Sequence, residues 1–170
     1  MQWRAPTMIL TWILALSHQP DWVTIRACVT LIKKDKEPWY WAKKAEQRTE
    51  NSFRYEKCDR EDPEAERRFL LNIAVEDHTG HQWFTLFDES QVIFQNFTVD
   101  ELGRLKDTDV ARYEEIIDDC MFHDFVFRIN IKTDTRSEER RLKCTVHQLQ
   151  PVDFVAESKY MISEIKKRLS

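Results

Sequence analysis

Glycine and proline are scarce in this chain, which has two glycines and five prolines among 170 residues. Their scarcity excludes collagen-like and flexible low-complexity segments, because both depend on these residues. An excess of positive charge is also missing, since 26 basic residues stand against 30 acidic ones and the net charge is −4. Any affinity for phosphate groups must therefore come from a local group of basic residues. The length corresponds to one domain, or to a domain with a small addition.

Closely spaced cysteine pairs are absent from the sequence. The four cysteines are Cys28, Cys58, Cys120 and Cys144. Secreted disulfide scaffolds and four-thiolate zinc sites both need closer or more regular spacing, so the pattern argues against both and indicates a reducing compartment.

Catalytic signatures are missing as well. The sequence has no phosphate-binding glycine loop, no HExxH motif and no deaminase signature. His78 and His81 could be read as a metal pair, but a turn between two strands explains them better. We therefore predict that the chain is not an enzyme.

The longest apolar run, Met8 to Leu16, is too short to span a bilayer, and no small-residue cleavage motif follows it. The run is either a strand or helix of the domain or a targeting segment. We expect residues 1–21 to pack on the domain.

Alternation of apolar and polar residues predicts strands at 22–33, 39–41, 69–76, 82–88, 124–132 and 141–149. In the first of them one face carries Val23, Ile25, Ala27, Val29 and Leu31, which should point inward. About six strands, with helices before the last two, predict a mainly β fold: a small closed Greek-key barrel.

Three helices are predicted. Thr98 and Glu101 form a capping box that should begin one helix, and a second should run from Asp109 to about Cys120. After Pro151 the apolar period changes to about 3.6 residues. This last helix packs on its own barrel or docks with partner helices, and its apolar stripe contains Phe154, Val155, Met161, Ile162, Ile165 and Leu169.

Trp83 and Phe87 are the candidate binding residues. They alternate with Phe84 and Leu86, so that the two pairs should lie on opposite faces of one strand. Exposed aromatics on a strand can stack nucleic-acid bases. The alternative is a sheet with two buried faces. The nearby basic residues that could contact phosphates are Arg26, Lys33, Lys34, Arg136, Arg141 and Lys143.

The order of motifs resembles the C-terminal OB-fold domain of the large subunit of replication protein A, the eukaryotic single-strand DNA-binding heterotrimer. The resemblance covers about residues 8 to 169. It depends on these blocks: Pro20-Asp-Trp-Val-Thr-Ile-Arg-Ala-Cys-Val-Thr, Trp39-Tyr, Arg54-Tyr-Glu-Lys-Cys58, Asp77-His-Thr-Gly, Trp83-Phe-Thr-Leu-Phe87, Arg141-Leu-Lys-Cys-Thr-Val146 and Pro151-Val-Asp-Phe154.

The resemblance implies an OB-fold over residues 22–151 and an assembly helix over 152–170 that binds the medium and small OB-fold subunits. It assigns Trp83 and Phe87 to base stacking on single-stranded DNA. It also implies a nuclear protein of DNA replication, repair and recombination, with no membrane partner. The alternative is a structural assembly module of a replication protein A-like or meiosis-specific paralogue complex, with weak or no DNA binding.

One departure from the family concerns zinc. The family inserts a zinc ribbon with two close cysteine pairs, whereas this chain keeps only Cys58 in a degenerate insert at about 42–58. Lys43 and Tyr55 stand near two of the expected thiolate positions, and no histidine lies at ribbon spacing. Structural zinc needs four Cys or His ligands, so we predict that the family zinc site is lost and that no cofactor is bound.

Overall fold

The computed structural model describes residues 21–43, 65–134 and 141–169. The apolar run before residue 21, the insert around Cys58 and the segment containing Arg136 lie outside these ranges. The strands are β1 (Asp21–Ile32), β2 (Trp39–Lys43), β3 (Ala65–Phe69), β4 (Leu71–Asp77), β5 (Gly80–Leu86), β6 (Asp124–Asp134) and β7 (Arg141–Pro151). The helices are α1 (Ser90–Ile93), α2 (Val99–Thr108), α3 (Val110–Asp119) and α4 (Phe154–Leu169).

Five strands form a closed barrel in the order β1-β4-β5-β7-β6. The neighbouring strands are antiparallel except for β5 and β7, which pair in parallel through Thr85 and Thr145 and close the barrel. The helices α1 to α3 lie between β5 and β6 in the chain. This confirms the predicted OB-fold barrel with a helical insertion before its last two strands.

Two strands lie outside the barrel, where β2 and β3 form a separate antiparallel hairpin. The sequence predicted one strand over 69–76, but β3 ends at Phe69 and β4 begins at Leu71. The Arg67 guanidinium of the hairpin lies 4.8 Å from the centre of the Trp41 ring. It also pairs with Asp100 at 3.6 Å and with Asp107 at 3.7 Å, so Arg67 holds the hairpin against α2.

A β-bulge changes the inward face of β1. Its pairing with β4 shifts register between Val29 and Leu31. As a result Leu31 is 45% exposed while Ile32 is 1% exposed. The expectation that Leu31 points inward is therefore wrong, because one extra residue in a strand reverses the faces beyond it.

The core fills the barrel with inward-facing apolar side chains. Phe84 and Phe127 are fully buried, and their ring centres lie 5.4 Å apart with the edge of one ring toward the face of the other. The insertion helices add Leu102, Ile116 and Ile117 to the same core. Burying each side chain of this size is worth about 1.5–3 kcal/mol, so the barrel and the helices stabilise each other.

The predicted start of α2 is confirmed. The Thr98 hydroxyl accepts from the Glu101 backbone N–H, and the Glu101 carboxylate accepts from the Thr98 backbone N–H at 2.7 Å. The Thr98 hydroxyl also donates to that carboxylate at 2.8 Å, and the hydrogen bonds that the carboxylate accepts from the Thr98 backbone and hydroxyl lower the pKa of Glu101. Asp109 caps α3 in the same way by accepting from the Arg112 N–H at 3.1 Å. None of the helices in the described ranges is both long and apolar enough to cross a bilayer.

Candidate nucleic-acid interface

The outer face of β5 presents Trp83 to solvent. Trp83 is 40% exposed, whereas its neighbour Phe84 is fully buried, as is Leu86. The alternation predicted for this strand is confirmed, and the alternative of two buried faces does not apply at Trp83. In an OB-fold barrel this face belongs to the strands that contact oligonucleotides.

The surroundings of Trp83 form a shallow platform across three strands. Ala74 of β4 stands opposite Trp83, and Leu31 of β1 stands opposite Ala74. The small side chain of Ala74 leaves the Trp83 ring uncovered on that side, and the bulge in β1 turns Leu31 outward. The Lys33 ammonium lies 4.8 Å from the centre of the Trp83 ring. We call the surface formed by Leu31, Lys33, Ala74 and Trp83 the Trp83 platform.

The outward-facing cross-strand pair next to the Trp83 platform, Asn72 with Thr85, is polar. The Thr85 hydroxyl donates to the Asn72 side-chain oxygen at 2.9 Å. Phe87 lies one residue beyond the end of β5 and is half-buried, and its carbonyl accepts from the Ser90 N–H at 2.9 Å. The structure therefore places Phe87 at the rim of the binding face, in a turn, and less accessible than Trp83.

Arg26 does not point at the platform but joins three elements. Its guanidinium donates to Asp124 of β6 at 2.8 Å and to Glu157 of α4, and it lies 5.8 Å from the centre of the Phe154 ring. The bond to Asp124 and the contact with Glu157 raise the pKa of Arg26 against the opposing effect of burial. Two carboxylates therefore compensate its charge.

The other predicted basic residues are distributed differently. Lys34 pairs with Asp118 of α3 at 2.5 Å. Lys143 is exposed on β7, and the side chain of Arg141 is outside the described part, as is Arg136. Among the predicted cations whose side chains the structure describes, Lys33 contacts the Trp83 ring. Sequence reasoning missed Leu31 and Ala74, and no sequence signal marked the bulge that exposes Leu31.

The apolar stripe of α4 faces solvent. All six predicted interface residues are exposed, from 49% for Met161 to 83% for Leu169. The helix is anchored at its start, because Asp153 accepts from the Val155 and Ala156 N–H groups at 3.0 Å and Glu157 bonds to Arg26. A contiguous apolar surface of this kind is typical of a protein interface.

The described cysteines lie apart from one another. Burial raises the thiol pKa of Cys120 and of Cys144 to about 12. Burial and the neighbouring Asp124 also raise the pKa of Cys28. Within the described ranges no cluster of three or more His, Cys, Asp or Glu side chains could hold a metal ion. Since Cys58 lies outside those ranges, the absence of zinc stays a prediction.

Comparison with known proteins gives concordant matches. The family pattern described as replication factor-A C-terminal domain matches residues 22–161. The chain is 31% identical over 174 residues to the replication protein A 70 kDa DNA-binding subunit of Xenopus tropicalis, covering 97% of this chain and 28% of that protein. It is 36% identical over 117 residues to the corresponding protein of Mus musculus, covering 69% and 19%. The chain thus matches between 19% and 28% of the length of these relatives.

Solved structures match the whole barrel. A chain from a structure described as yeast RPA bound to ssDNA aligns with a TM-score of 0.76 at 25% identity, covering 98% of this chain and 99% of that one. A chain from a replication protein A heterotrimer bound to ssDNA aligns with a TM-score of 0.72 at 27% identity, covering 88% of this chain and 36% of that one.

Proposed function

From the premise that this chain belongs to the replication factor-A C-terminal domain family, we propose that it binds single-stranded DNA within a replication protein A-like heterotrimer. The related large subunits are named as DNA-binding subunits, in agreement with the prediction that the chain is not an enzyme. The role in replication, repair and recombination, and with it a nuclear location, belongs to this proposal.

The observation that carries the proposal is the exposed ring of Trp83 on the outer face of β5. A base stacked on such a ring contributes about 1–3 kcal/mol regardless of its identity. Thr85 and Asn72 lie on the adjacent pair and offer hydroxyl and amide groups to a base edge. Phe87 extends the surface at its rim. Binding of this kind depends little on the DNA sequence, as is required of a protein that binds single strands in general.

Lys33 supplies the positive charge of this site. Its ammonium already contacts the Trp83 ring, so it lies close to any phosphate that follows a stacked base. Because the net charge is −4, long-range attraction contributes little, and local contacts determine the affinity. Lys143 of β7 belongs to the same proposed interface, and so do Arg141 and Arg136, whose side chains lie outside the described part. Arg26 and Lys34 are paired with carboxylates.

Assembly is the second part of the proposal. The exposed stripe of α4 is proposed to bind one helix from each of the medium and small OB-fold subunits. A stripe left in water would be costly, since each large apolar side chain gains about 1.5–3 kcal/mol on burial. The bond between Arg26 and the buried Glu157 fixes the start of the helix on the barrel.

A second candidate function is an assembly module with weak or no DNA binding. The observation that favours it is the pairing of Arg26 with Asp124 and Glu157, and of Lys34 with Asp118, which removes two predicted cations from the binding face. Both candidates share the α4 interface, so DNA affinity decides between them.

The deciding experiment is a fluorescence anisotropy titration of a labelled thymidine oligonucleotide with the wild-type chain and with Trp83→Ala. We expect Trp83→Ala to weaken binding by about 1–3 kcal/mol, since one stacked base is lost. Thermal unfolding should change little, because the side chain points away from the core. The matched control is Phe122→Ala, which removes an aromatic side chain that is 73% exposed elsewhere on the surface. Undiminished binding by Trp83→Ala would overturn the stacking role of Trp83, and no binding by the wild type would favour the assembly module.

A further inference from the structure

We propose that Trp22, Arg128 and His147 form a second nucleotide-binding site, on the outer face of β1, β6 and β7, that takes a base and phosphate of the same single strand. This inference rests on the proposed function. The three residues come from three adjacent strands, and none belongs to the Trp83 platform. We call this group the Trp22 site.

The geometry of the Trp22 site resembles a stacking site with cations around it. The Trp22 ring is 52% exposed. The Arg128 guanidinium lies 5.5 Å from its centre, and the His147 ring centre lies 4.6 Å away, tilted by 61°. The cation and the tilted imidazole ring restrict the orientation of the indole, and the side chain remains accessible to solvent. A fixed, exposed indole is a surface on which a nucleobase of any identity can stack.

A bulge in β7 places His147 in this site. The register between β6 and β7 shifts beside Arg128, which pairs with Gln148, whereas Ile129 pairs with Val146. His147 is the extra residue, and it is exposed together with Gln148. Bulges are frequent next to binding sites because they redirect one side chain.

The outer face between the two sites is polar, although it is not equally exposed along its length. One residue from each strand forms a row around the barrel, in which each member is the direct partner of the next: Asn72, Thr85, Thr145, Asn130 and Trp22. From β5 to β1 through β7 and β6 the row crosses three inter-strand spacings, an arc of about 14 Å. Along this row Asn72 is exposed and Thr85 and Thr145 are half-buried, so a DNA strand that leaves the Trp83 platform can contact their polar side chains, whereas Asn130 is only 7% exposed.

The charge of this face suits a phosphate backbone. Lys132 and Lys143 stand opposite each other on one side of the row, and Arg128 lies on the other side of it, two positions from Asn130 along β6. None of the described outward side chains between 126 and 132 or between 143 and 148 is a carboxylate. In a chain with a net charge of −4, this face is thus locally cationic. Charge complementarity favours single-stranded nucleic acid as the occupant, and the short arc to the Trp83 platform lets one DNA strand reach both sites.

The test compares two thymidine oligonucleotides, one of about 8 nucleotides and one of about 20, because a single OB-fold covers roughly 4–16 nucleotides. We expect Trp22→Leu and Arg128→Gln each to weaken binding of the longer strand about five-fold or more, and to leave the shorter strand nearly unaffected. The control for charge is Lys159→Gln, an exposed residue of α4. Trp83→Ala should weaken binding of both oligonucleotides. This result distinguishes a failure of the proposed function from a failure of the second site.

A second measurement uses the unmodified chain. The longer strand carrying 5-iododeoxyuridine is photocrosslinked, and the peptides are identified by mass spectrometry. We expect a crosslink to the peptide containing Trp22 with the longer strand alone. The inference would be overturned if the wild type and Trp22→Leu bound each oligonucleotide with the same affinity and no crosslink formed at Trp22. If Arg128→Gln instead lost binding of a fluorescent polyglutamate peptide while its DNA affinity stayed intact, the inference would also be overturned, since the face would then bind an acidic protein.

Discussion

The Lys33 ammonium lies 4.8 Å from the centre of the Trp83 ring, at the junction of β1 with the binding face. A cation in this position is attracted by the ring by about 0.5–1 kcal/mol at an exposed site. It also covers part of the surface on which a base would stack. In the proposed function, a stacked base would displace Lys33 from the ring, and the phosphate that follows the base would become its partner.

Lys33→Gln should reduce the salt dependence of single-strand binding. Each phosphate contact to a single strand contributes about 0.7 to the slope of log K against log salt concentration. We expect the slope of the variant to be smaller by about that amount, measured by anisotropy titrations over a series of salt concentrations. Lys36→Gln, in the same exposed loop, is the matched control and should keep the wild-type slope. Equal slopes for the wild type and Lys33→Gln would show that Lys33 does not contact phosphate.

Introducing charge into the apolar stripe of α4 should abolish assembly. The double variant Met161→Asp with Ile165→Asp places two carboxylates on residues that are 49% and 57% exposed. We expect it to lose co-purification with the two smaller OB-fold subunits, because an interface would have to bury both charges. Circular dichroism and thermal unfolding should match the wild type.

The control for that experiment lies on the polar face of the same helix. Lys159→Asp with Lys166→Asp changes more net charge but leaves the stripe intact, so it should still assemble. Co-purification of the Met161 and Ile165 double variant with both partners would rule out α4 as the interface.

Removing Arg26 should destabilise the barrel. Arg26→Met leaves Asp124 and the buried Glu157 without their shared cation. We expect the free energy of unfolding to fall by about 1–3 kcal/mol, less than for a fully buried pair because Arg26 is partly exposed. Adding Glu157→Leu should recover part of this loss. Lys34→Met, which breaks the exposed pair with Asp118, should cost at most about 1 kcal/mol in the same urea titration.

Stability should decline in alkaline solution. Burial raises the pKa of Cys120, Cys144 and Tyr113 to about 12, above the ordinary values of 9.0 for the thiols and 10.0 for the phenol. Between these values and about 12 the unfolded chain loses protons that the folded chain retains, so unfolding is favoured as the pH rises. Urea titrations at about pH 8 and about pH 10.5 should show the decrease. The same midpoint at both values would contradict it.

Local patterns predicted much of this protein. The alternation of Trp83 and Phe84 and the capping box at Thr98 depend on neighbouring residues, and both are confirmed. The exposure of Leu31 could not be predicted, because a bulge depends on pairing with a distant strand. The carboxylates that pair with Arg26 lie 98 and 131 positions away in sequence, so these ion pairs could not be predicted from local sequence patterns either. The sequence therefore identified the aromatic of the site better than the cations.

The strand β1 is shared between both sides of the barrel, and this sharing constrains biosynthesis. Residues 28–32 pair with β4, which follows soon after β1 in the described part of the chain, but residues 21–27 pair with β6 alone, from Asp21 opposite Ile131 to Ala27 opposite Phe125. During synthesis, residues 21–27 therefore have no strand partner until β6 has been made. Contacts so distant in sequence slow folding and leave a strand edge open to wrong partners. We therefore expect a nascent chain that stops before residue 124 to need chaperone protection, since no smaller part of the barrel can close.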